Sequence, residues 1–331
     1  MSFLPIIDNY GRVHNSLRIG VTDRCNIRCF YCMPEKVQFL PRAELLSFEE
    51  IKRLTVILAR HGVDRIRITG GEPLVRSELW RLIEMIKSID GIREVALTTN
   101  GLLLAQQVER LRSAGLDRLN VSLDTIDPAV FQRVTRRTGL EKVLAGIDAA
   151  QAIGMSNIRI NAVSISGITE SEIVPLAEFA RRKNLELRFI EFMPLDGDQA
   201  WENGQVLSGA AVKSLIEANV GKLVRVERHN PGQPAVDYAY QDHDARVGFI
   251  NSVTEPFCGD CNRMRVTAEG KFRNCLFSSA EWDIRSLLRS GASDEQIEGA
   301  IRQCIGAKKV GHGTDDGKFL RPEKAMYQIG G

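Results

Sequence analysis

Three cysteines that lie close together, Cys25, Cys29 and Cys32, constrain this chain more than any other feature of its sequence. Their CxxxCxxC spacing puts three thiolates on one short loop. A [4Fe–4S] cluster is usually held by four cysteine thiolates, so a loop with three leaves one iron with an open coordination position. Metal centres react at such open positions, as catalytic zinc sites do. The loop therefore indicates a redox enzyme, whereas an isolated CxxC pair would more often bind zinc or be incidental.

The composition places the chain among ordinary globular proteins. With 331 residues it is long enough for two domains, or for a barrel with an extension. A net charge of +2 gives no reason to expect a nucleic-acid partner, and the sequence has neither a signal-peptide pattern nor an apolar run of membrane-spanning length. Seven cysteines, an odd number in two groups and one outlier, favour metal binding over disulfides. We therefore expect a cytoplasmic protein with no membrane partner.

Short β-branched segments alternate with longer amphipathic segments from Ser16 to about Met193. The pattern predicts strands at 17–22, 65–69, 94–99, 118–123, 157–165 and 186–192. It predicts helices at 47–61, 77–89, 105–114, 141–153 and 171–183, and Ser47 followed by Glu50 predicts a capping box at the start of the first one. Six βα units in a row predict an α/β fold with a parallel sheet, either doubly wound or curved toward a barrel. In both architectures ligands bind at the carboxyl ends of the strands, and the cysteine loop follows the first of them.

The pattern changes after about residue 197, where Gly, Asn, Gln and Pro become common and a second cysteine group appears. We predict one domain over residues 1–199 and an irregular α+β region over residues 200–331. Helices are expected there near 209–218, 282–289 and 294–307.

The segment Gly70-Gly71-Glu72-Pro73 follows the second predicted strand. Alone it would be an ordinary turn. Together with the CxxxCxxC loop and its aromatic residue Tyr31, it resembles the radical S-adenosylmethionine (SAM) superfamily. The resemblance implies a partial (β/α)6 TIM-like barrel in which SAM chelates the open iron of the first cluster. The residues that match SAM-binding positions of that superfamily are Tyr31, Gly71, Glu72, Ser122 and Met193.

A second group of cysteines comprises Cys258, Cys261 and Cys275. Spacing alone leaves zinc about as plausible as a cluster, with His243, His229 or Cys304 as a fourth ligand. The intervening strand carries Arg263 and Arg265, whose planar guanidinium groups suit phosphate. A solvated pair of surface charges is the alternative for these two arginines.

These motifs, together with the terminal Gly330-Gly331, resemble the GTP 3′,8-cyclase family of molybdenum cofactor biosynthesis over essentially the whole chain. The resemblance implies a lyase with two [4Fe–4S] clusters, the second held by Cys258, Cys261 and Cys275 and binding guanine. Arg159 stands where the family usually has lysine, which keeps the charge but changes its geometry. The positions that match GTP contacts are Arg18, Arg67, Thr98, Arg159, Arg188, Arg263, Met264 and Arg265.

The resemblance also implies a mechanism. The first cluster, held by Cys25, Cys29 and Cys32, would cleave SAM, and the resulting 5′-deoxyadenosyl radical would take the 3′ hydrogen of GTP before C3′ bonds to C8. The Gly330–Gly331 tail would reach into the active site as part of the catalytic machinery. An electron donor and a downstream cyclic pyranopterin monophosphate synthase are implied partners, and the chain could be a monomer or a homodimer.

Two other classes remain open. One is a radical SAM enzyme that acts on a peptide or an RNA, and the other is a non-catalytic iron–sulfur or zinc sensor.

Overall fold

A computed structural model of the chain describes residues 4–227, 230–312 and 322–330. The first six strands, which alternate with helices, occupy the predicted positions to within one or two residues. They are β1 (Ser16–Gly20), β2 (Arg65–Thr69), β3 (Glu94–Thr99), β4 (Arg118–Ser122), β5 (Ile158–Ser164) and β6 (Glu186–Glu191). Six shorter or later strands follow: β7 (Leu223–Arg225), β8 (Val236–Tyr240), β9 (His243–Ile250), β10 (Arg263–Val266), β11 (Lys271–Arg273) and β12 (Trp282–Asp283).

The helices are α1 (Phe48–Arg60), α2 (Leu79–Lys87), α3 (Val108–Ser113), α4 (Pro128–Thr135), α5 (Leu140–Ala152), α6 (Ile173–Arg182), α7 (Gly209–Asn219), α8 (Ile284–Arg289), α9 (Asp294–Gly306) and α10 (Met326–Ile329). Helices α1 to α9 pack against the sheet or against one another, and the short α10 lies at the cavity described below. Short 3-10 turns lie at Arg42–Glu44, Pro73–Val75, Glu170–Glu172 and Asn203–Gln205.

Helix α1 shows how local sequence sets an element and its buried face. Ser47 caps it by accepting a hydrogen bond from the Glu50 amide at 3.1 Å, and the Glu50 side chain accepts from the Ser47 amide at 2.7 Å. This reciprocal capping box satisfies two amides that the helix leaves without partners. The apolar residues Ile51, Leu54 and Leu58, spaced at three and four residues, are fully buried. The predicted capping box is therefore confirmed.

The twelve strands form one sheet in the order β12-β11-β10-β1-β2-β3-β4-β5-β6-β9-β8-β7. Strands β1 to β6 run parallel, as six βα units require. The later part of the chain extends this sheet at both ends, because β10 pairs in parallel with β1 and β9 pairs in parallel with β6. The predicted α/β fold of partial-barrel type is confirmed. The domain boundary at residue 199 remains a prediction, and one continuous sheet contains strands from both sides of it.

Two local predictions differ from the structure. Helix α4 was not predicted, although Asp127 caps it by accepting from two amides and Pro128 occupies its first turn. The helix predicted from residue 282 begins at Ile284, because Trp282 and Asp283 pair with β11 as a strand. Within the described part of the chain, no helix is long and apolar enough to cross a membrane.

Candidate active site

A cavity of about 330 Å³ runs along the parallel strands, from residues at their starts, such as Ser16 and Arg65, to residues at their carboxyl ends, such as Thr99 and Ser122. It brings together most of the residues predicted from the sequence for the first cluster, for SAM and for the nucleotide. Those that line it are Arg18, Cys25, Cys29, Tyr31, Cys32, Arg67, Gly71, Glu72, Thr98, Ser122, Arg159, Arg188, Met193, Arg263 and Arg265. All six parallel strands contribute to it, and its cysteine loop and Gly71–Glu72 segment follow the carboxyl ends of β1 and β2, where ligands bind in such sheets.

The first cysteine loop is a tight turn closed by its own backbone. The Cys29 carbonyl accepts hydrogen bonds from the amides of Cys32 and Met33, both at 2.9 Å. Burial raises the pKa of Cys25 to about 11 and that of Cys32 to about 12. Bare thiols at these positions would stay protonated, so their use as thiolates calls for a cationic partner such as iron. Three convergent thiols facing one cavity fit a [4Fe–4S] cluster with an open iron.

Gly71 brings the second loop against the cysteine loop. A Cβ at this position would lie 2.3 Å from the carbonyl oxygen of Arg24, so only glycine fits. The amides of Gly71 and Glu72 donate to the carbonyls of Thr22 and Arg24, both at 2.7 Å. These contacts position the Glu72 carboxylate at the cavity wall.

The Glu72 carboxylate is almost fully buried and already has three donors. It accepts from the Leu74 amide at 2.9 Å, the Thr99 hydroxyl at 2.8 Å and the Asn100 amide at 2.7 Å. Burial raises its pKa to about 7, although these hydrogen bonds act in the opposite direction. A carboxylate has roughly four acceptor positions, so about one remains for a cationic ligand in the cavity.

Asp124 fixes the aromatic residue of the cysteine loop, and the sequence analysis did not identify it. The Tyr31 hydroxyl donates to Asp124 Oδ2 at 2.7 Å, and the Val163 amide donates to Oδ1 at 2.8 Å. Burial raises the pKa of Asp124 to about 6. The sequence signal was an acidic residue just after the predicted fourth strand, two residues beyond Ser122.

Three arginines lie side by side on adjacent strands. Arg18 on β1 is in register with Arg67 on β2 and with Arg265 on β10. Among the described residues no carboxylate pairs with Arg18 or Arg67, and burial together with neighbouring arginines pushes the pKa of both well below the ordinary value. Partly buried cations without counterions are costly, so this row favours an anionic ligand.

The arginines on the opposite wall are already neutralised. Arg159 Nε and Arg188 Nε donate to the two oxygens of Glu186, both at 2.6 Å, and Arg188 also contacts Asp237 at 3.3 Å. Arg118, which the sequence analysis missed, also lines the cavity and pairs with Glu94. The positive charge available to a ligand is therefore concentrated on the β1–β2 side.

Strand β10 alternates between the cavity and the core. Arg263 and Arg265 line the cavity, as expected from their spacing of two residues. Met264 points to the other face, where it is fully buried among apolar side chains. The predicted contact between Met264 and GTP could therefore involve its backbone only.

The second cysteine group differs electrostatically from the first. Burial raises the pKa of Cys258 to about 11, and the neighbouring Cys275 and Cys261 raise it further. At Cys261 burial acts in the same direction, but the charges of Arg263 and Lys308 outweigh it and lower the pKa to about 6. Among the described residues, no three His, Cys, Asp or Glu side chains are arranged to hold a single metal ion.

The residues considered from the sequence as a fourth zinc ligand lie in different surroundings. His243 Nδ1 accepts a hydrogen bond from the Ala245 amide at 3.0 Å in the β8–β9 hairpin. Cys304 is fully buried in the hydrophobic core on α9. His229 lies outside the described residues.

The C-terminal segment reaches the cavity. Met326 and Tyr327 line it, and the Met326 amide donates to the Leu195 carbonyl at 2.9 Å. The Gly330 carbonyl accepts from Arg265 Nη1 at 2.7 Å. Gly330 has φ +73°, and a Cβ there would lie 3.3 Å from Gly20. The tail thus lies at the end of β1, while Gly331 is outside the described residues.

Two family models match the chain in succession. The radical SAM superfamily model matches residues 19–180, and the model named Molybdenum Cofactor Synthesis C matches residues 185–314. The chain is 51% identical to the GTP 3′,8-cyclase of Rhodopirellula baltica, over 99% of this chain and 92% of that protein. It is 40% identical to that of Streptomyces coelicolor (98% and 96%) and 40% identical to the mitochondrial GTP 3′,8-cyclase of Arabidopsis thaliana (98% and 83%).

Solved structures support the fold. A crystal structure of Streptococcus suis SuiB bound to S-adenosylmethionine matches with a TM-score of 0.62 at 15% identity, covering 90% of this chain and 73% of that one. A second SuiB structure, bound to the precursor peptide SuiA, matches with a TM-score of 0.64 at 14% identity, covering 91% and 69%. At such low identity these likenesses concern the fold alone. On the sequence matches, which span nearly its whole length, the chain belongs to the GTP 3′,8-cyclase family of radical SAM proteins.

Proposed function

We propose that this chain is a GTP 3′,8-cyclase, a lyase that converts GTP to (8S)-3′,8-cyclo-7,8-dihydroguanosine 5′-triphosphate in the first step of molybdenum cofactor biosynthesis. Its relatives at 40–51% identity carry this activity in their names over nearly the whole chain. The cofactors are S-adenosylmethionine and two [4Fe–4S] clusters. When bound, the first cluster supplies the electron that cleaves S-adenosylmethionine and thereby provides a hydrogen-abstracting radical.

The observation that carries this proposal is the unneutralised row of Arg18 and Arg67, with Arg265 beside it. These guanidinium groups share a cavity with Cys25, Cys29 and Cys32. A triphosphate supplies the negative charge that the row lacks, and guanidinium groups bind phosphate oxygens in pairs. A peptide substrate would not supply comparable charge, which disfavours the alternative of a peptide-modifying enzyme.

The remaining roles follow from position. Cys25, Cys29 and Cys32 would hold the first cluster, and Gly71, Glu72, Ser122 and Met193 would contact S-adenosylmethionine with Tyr31. Thr98, Arg159, Arg188, Arg263 and the backbone of Met264 would complete the nucleotide site. Cys258, Cys261 and Cys275 would hold the second cluster.

The tail has a positioning role in this proposal. Gly330 holds the Arg265 guanidinium through its carbonyl, and Gly331 would extend farther into the site. The cavity would then keep the reacting ribose in one orientation and away from water, which is the main contribution a protein makes to radical chemistry.

The proposed function also implies a cellular location and protein partners. We expect a cytoplasmic enzyme that takes electrons from a separate donor and passes its product to a cyclic pyranopterin monophosphate synthase. It would act as a monomer or a homodimer.

The test is an anaerobic assay of the reconstituted protein with dithionite, SAM and GTP. We expect 5′-deoxyadenosine and a cyclised GTP product to form together, and neither to form with Cys32→Ala. Deoxyadenosine without a GTP-derived product would refute the cyclase assignment and point to another radical SAM reaction. Absence of both from protein loaded with both clusters would favour a sensor.

A further inference from the structure

A buried lysine contacts the second cysteine group, and the roles proposed above leave it unassigned. Lys308 follows α9 and is only 5% exposed. Its Nζ donates to Cys261 Sγ at 3.4 Å and to the Arg263 carbonyl at 3.1 Å. Arg263 Nη2 donates to the same sulfur at 3.4 Å. Cys261 thus receives hydrogen bonds from two cationic side chains.

The N-terminal segment holds the chain around Lys308 in place. Arg12 donates through Nη2 to the Lys309 carbonyl at 2.7 Å and through Nη1 to the Val310 carbonyl at 3.0 Å. The same Nη1 donates to the Cys258 carbonyl at 2.7 Å. Asp8, itself buried, fixes the guanidinium by accepting from Nε at 2.6 Å. The Cys258–Cys261 loop and the 308–310 segment are therefore tied to one side chain, which keeps Lys308 against the sulfur.

A cation beside a cluster ligand changes the equilibrium between the oxidised and reduced cluster. Reduction adds one negative charge, and a nearby positive charge stabilises that state. Hydrogen bonds to ligating sulfurs are among the main determinants of cluster potential. Among the described residues, the hydrogen-bond donors to the cysteines of the first cluster are neutral groups, such as the side-chain amide of Asn100 at 3.8 Å from Cys25 Sγ.

We propose that Lys308 is a positioning residue of the second cluster, holding Cys261 as a ligand and raising the reduction potential of that cluster above the value it would have without the charge. This inference rests on the assignment of Cys258, Cys261 and Cys275 as ligands, but not on GTP being the substrate. Arg263 has a second role in the nucleotide site, so Lys308 is the residue through which the effect can be isolated.

The test is an anaerobic redox titration of the full-length protein carrying both clusters, followed by electron paramagnetic resonance without SAM or GTP. The signal that disappears in Cys25→Ala belongs to the first cluster, so the signal that remains belongs to the second cluster. Lys308→Met removes the charge at similar side-chain length, and Lys308→Arg keeps the charge. Lys309→Met is the matched control, because Lys309 is the exposed neighbour.

We expect Lys308→Met to shift the one-electron equilibrium of the second cluster about tenfold toward the oxidised state, which corresponds to about 59 mV. Lys308→Arg and Lys309→Met should stay close to wild type, and the first cluster should not move. Loss of iron from the second cluster alone in Lys308→Met would also support the inference, since partners of metal ligands typically change metal affinity 10- to 100-fold.

Equal potentials and iron contents in Lys308→Met and Lys309→Met would overturn the inference, as would a shift in Lys308→Arg equal to that in Lys308→Met. If Lys308→Met does not fold, Lys308→Gln takes its place, since glutamine keeps a hydrogen-bond donor without the charge. Its potential and iron content are then compared with those of Lys309→Met in the same way. Wild-type protein that binds only one cluster would overturn both the inference and the ligand assignment. Failure to turn over GTP would affect the proposed function alone.

Discussion

Replacing Arg67 with methionine should stabilise the protein while weakening nucleotide binding. Arg67 lies beside Arg18 on the adjacent strand, and among the described residues it has no carboxylate partner. Neighbouring strands are about 5 Å apart, and two unit charges at that separation repel by about 3 kcal/mol at an effective dielectric constant of 20. Methionine removes the repulsion and the desolvation of the charge. We expect the free energy of unfolding without ligand to rise by about 1–3 kcal/mol, which for a chain of 331 residues raises Tm by about 1–4 °C.

The same substitution should reduce GTP affinity by about 10- to 100-fold, because a charge-assisted hydrogen bond contributes roughly 1.5–3 kcal/mol. The matched variant is Arg159→Met, which breaks the contact with Glu186 and leaves that buried carboxylate with Arg188 alone. We expect Arg159→Met to lower stability by about 1–3 kcal/mol. Calorimetric melting and isothermal titration with GTP measure both quantities. If Arg67→Met destabilised the protein as much as Arg159→Met and bound GTP normally, the reasoning would be refuted.

Three further predictions concern the tail, the N-terminal segment and the cysteine loop. Gly330→Ala should strongly reduce product formation, because a Cβ at φ +73° costs about 1–2 kcal/mol and displaces the tail. The control is Gly299→Ala, which adds a Cβ on an open helix face. Equal turnover of the two variants would contradict the tail's role. Burial lowers the pKa of His14 from 6.5 to about 4, so the unfolded chain takes up the proton first and stability present above pH 6.5 is lost as pH falls toward 4. The loss of stability is on the order of 3 kcal/mol. His14→Gln should therefore make the free energy of unfolding in urea less different between pH 7 and pH 4.5. The same pH dependence in the variant and the wild type would count against this role of His14. Tyr31→Phe leaves the Asp124 carboxylate without its hydroxyl donor. We expect the free energy of unfolding to fall by about 1–3 kcal/mol and iron to be lost from the first cluster. An unaltered Tm and iron content would show that this contact is unimportant.

The βα part of the fold could be predicted from the sequence because local signals agree there. Capping, apolar periodicity and β-branched runs all pointed to the same elements, and Arg65–Thr69 and Glu94–Thr99 were placed at their observed bounds. The pairing of β10 with β1 and of β9 with β6 was not predictable in this way. These strands are far from their partners in the sequence, and their pairing depends on tertiary structure that no local pattern encodes.

The site divides in the same manner. The cysteine groups are visible in their spacing alone, whereas Gly71, Ser122 and Met193 were identified only through the resemblance to radical SAM proteins. The position of Asp124 after the fourth predicted strand was visible in the sequence, but its partner Tyr31 was not. Arg118 and Lys308 gave no such signal, because their partners, such as Cys261 for Lys308, come close only on folding. Met264 shows the converse, since its neighbours were correctly placed while alternation along the strand turns its side chain into the core.

The central claim is that this chain removes the 3′ hydrogen of GTP with a radical derived from S-adenosylmethionine. The most direct measurement uses GTP deuterated at C3′ in the anaerobic reaction and follows the label by mass spectrometry. We expect one deuterium in 5′-deoxyadenosine and none at C3′ of a cyclised product. Unlabelled 5′-deoxyadenosine, formed in amounts independent of GTP, would contradict it.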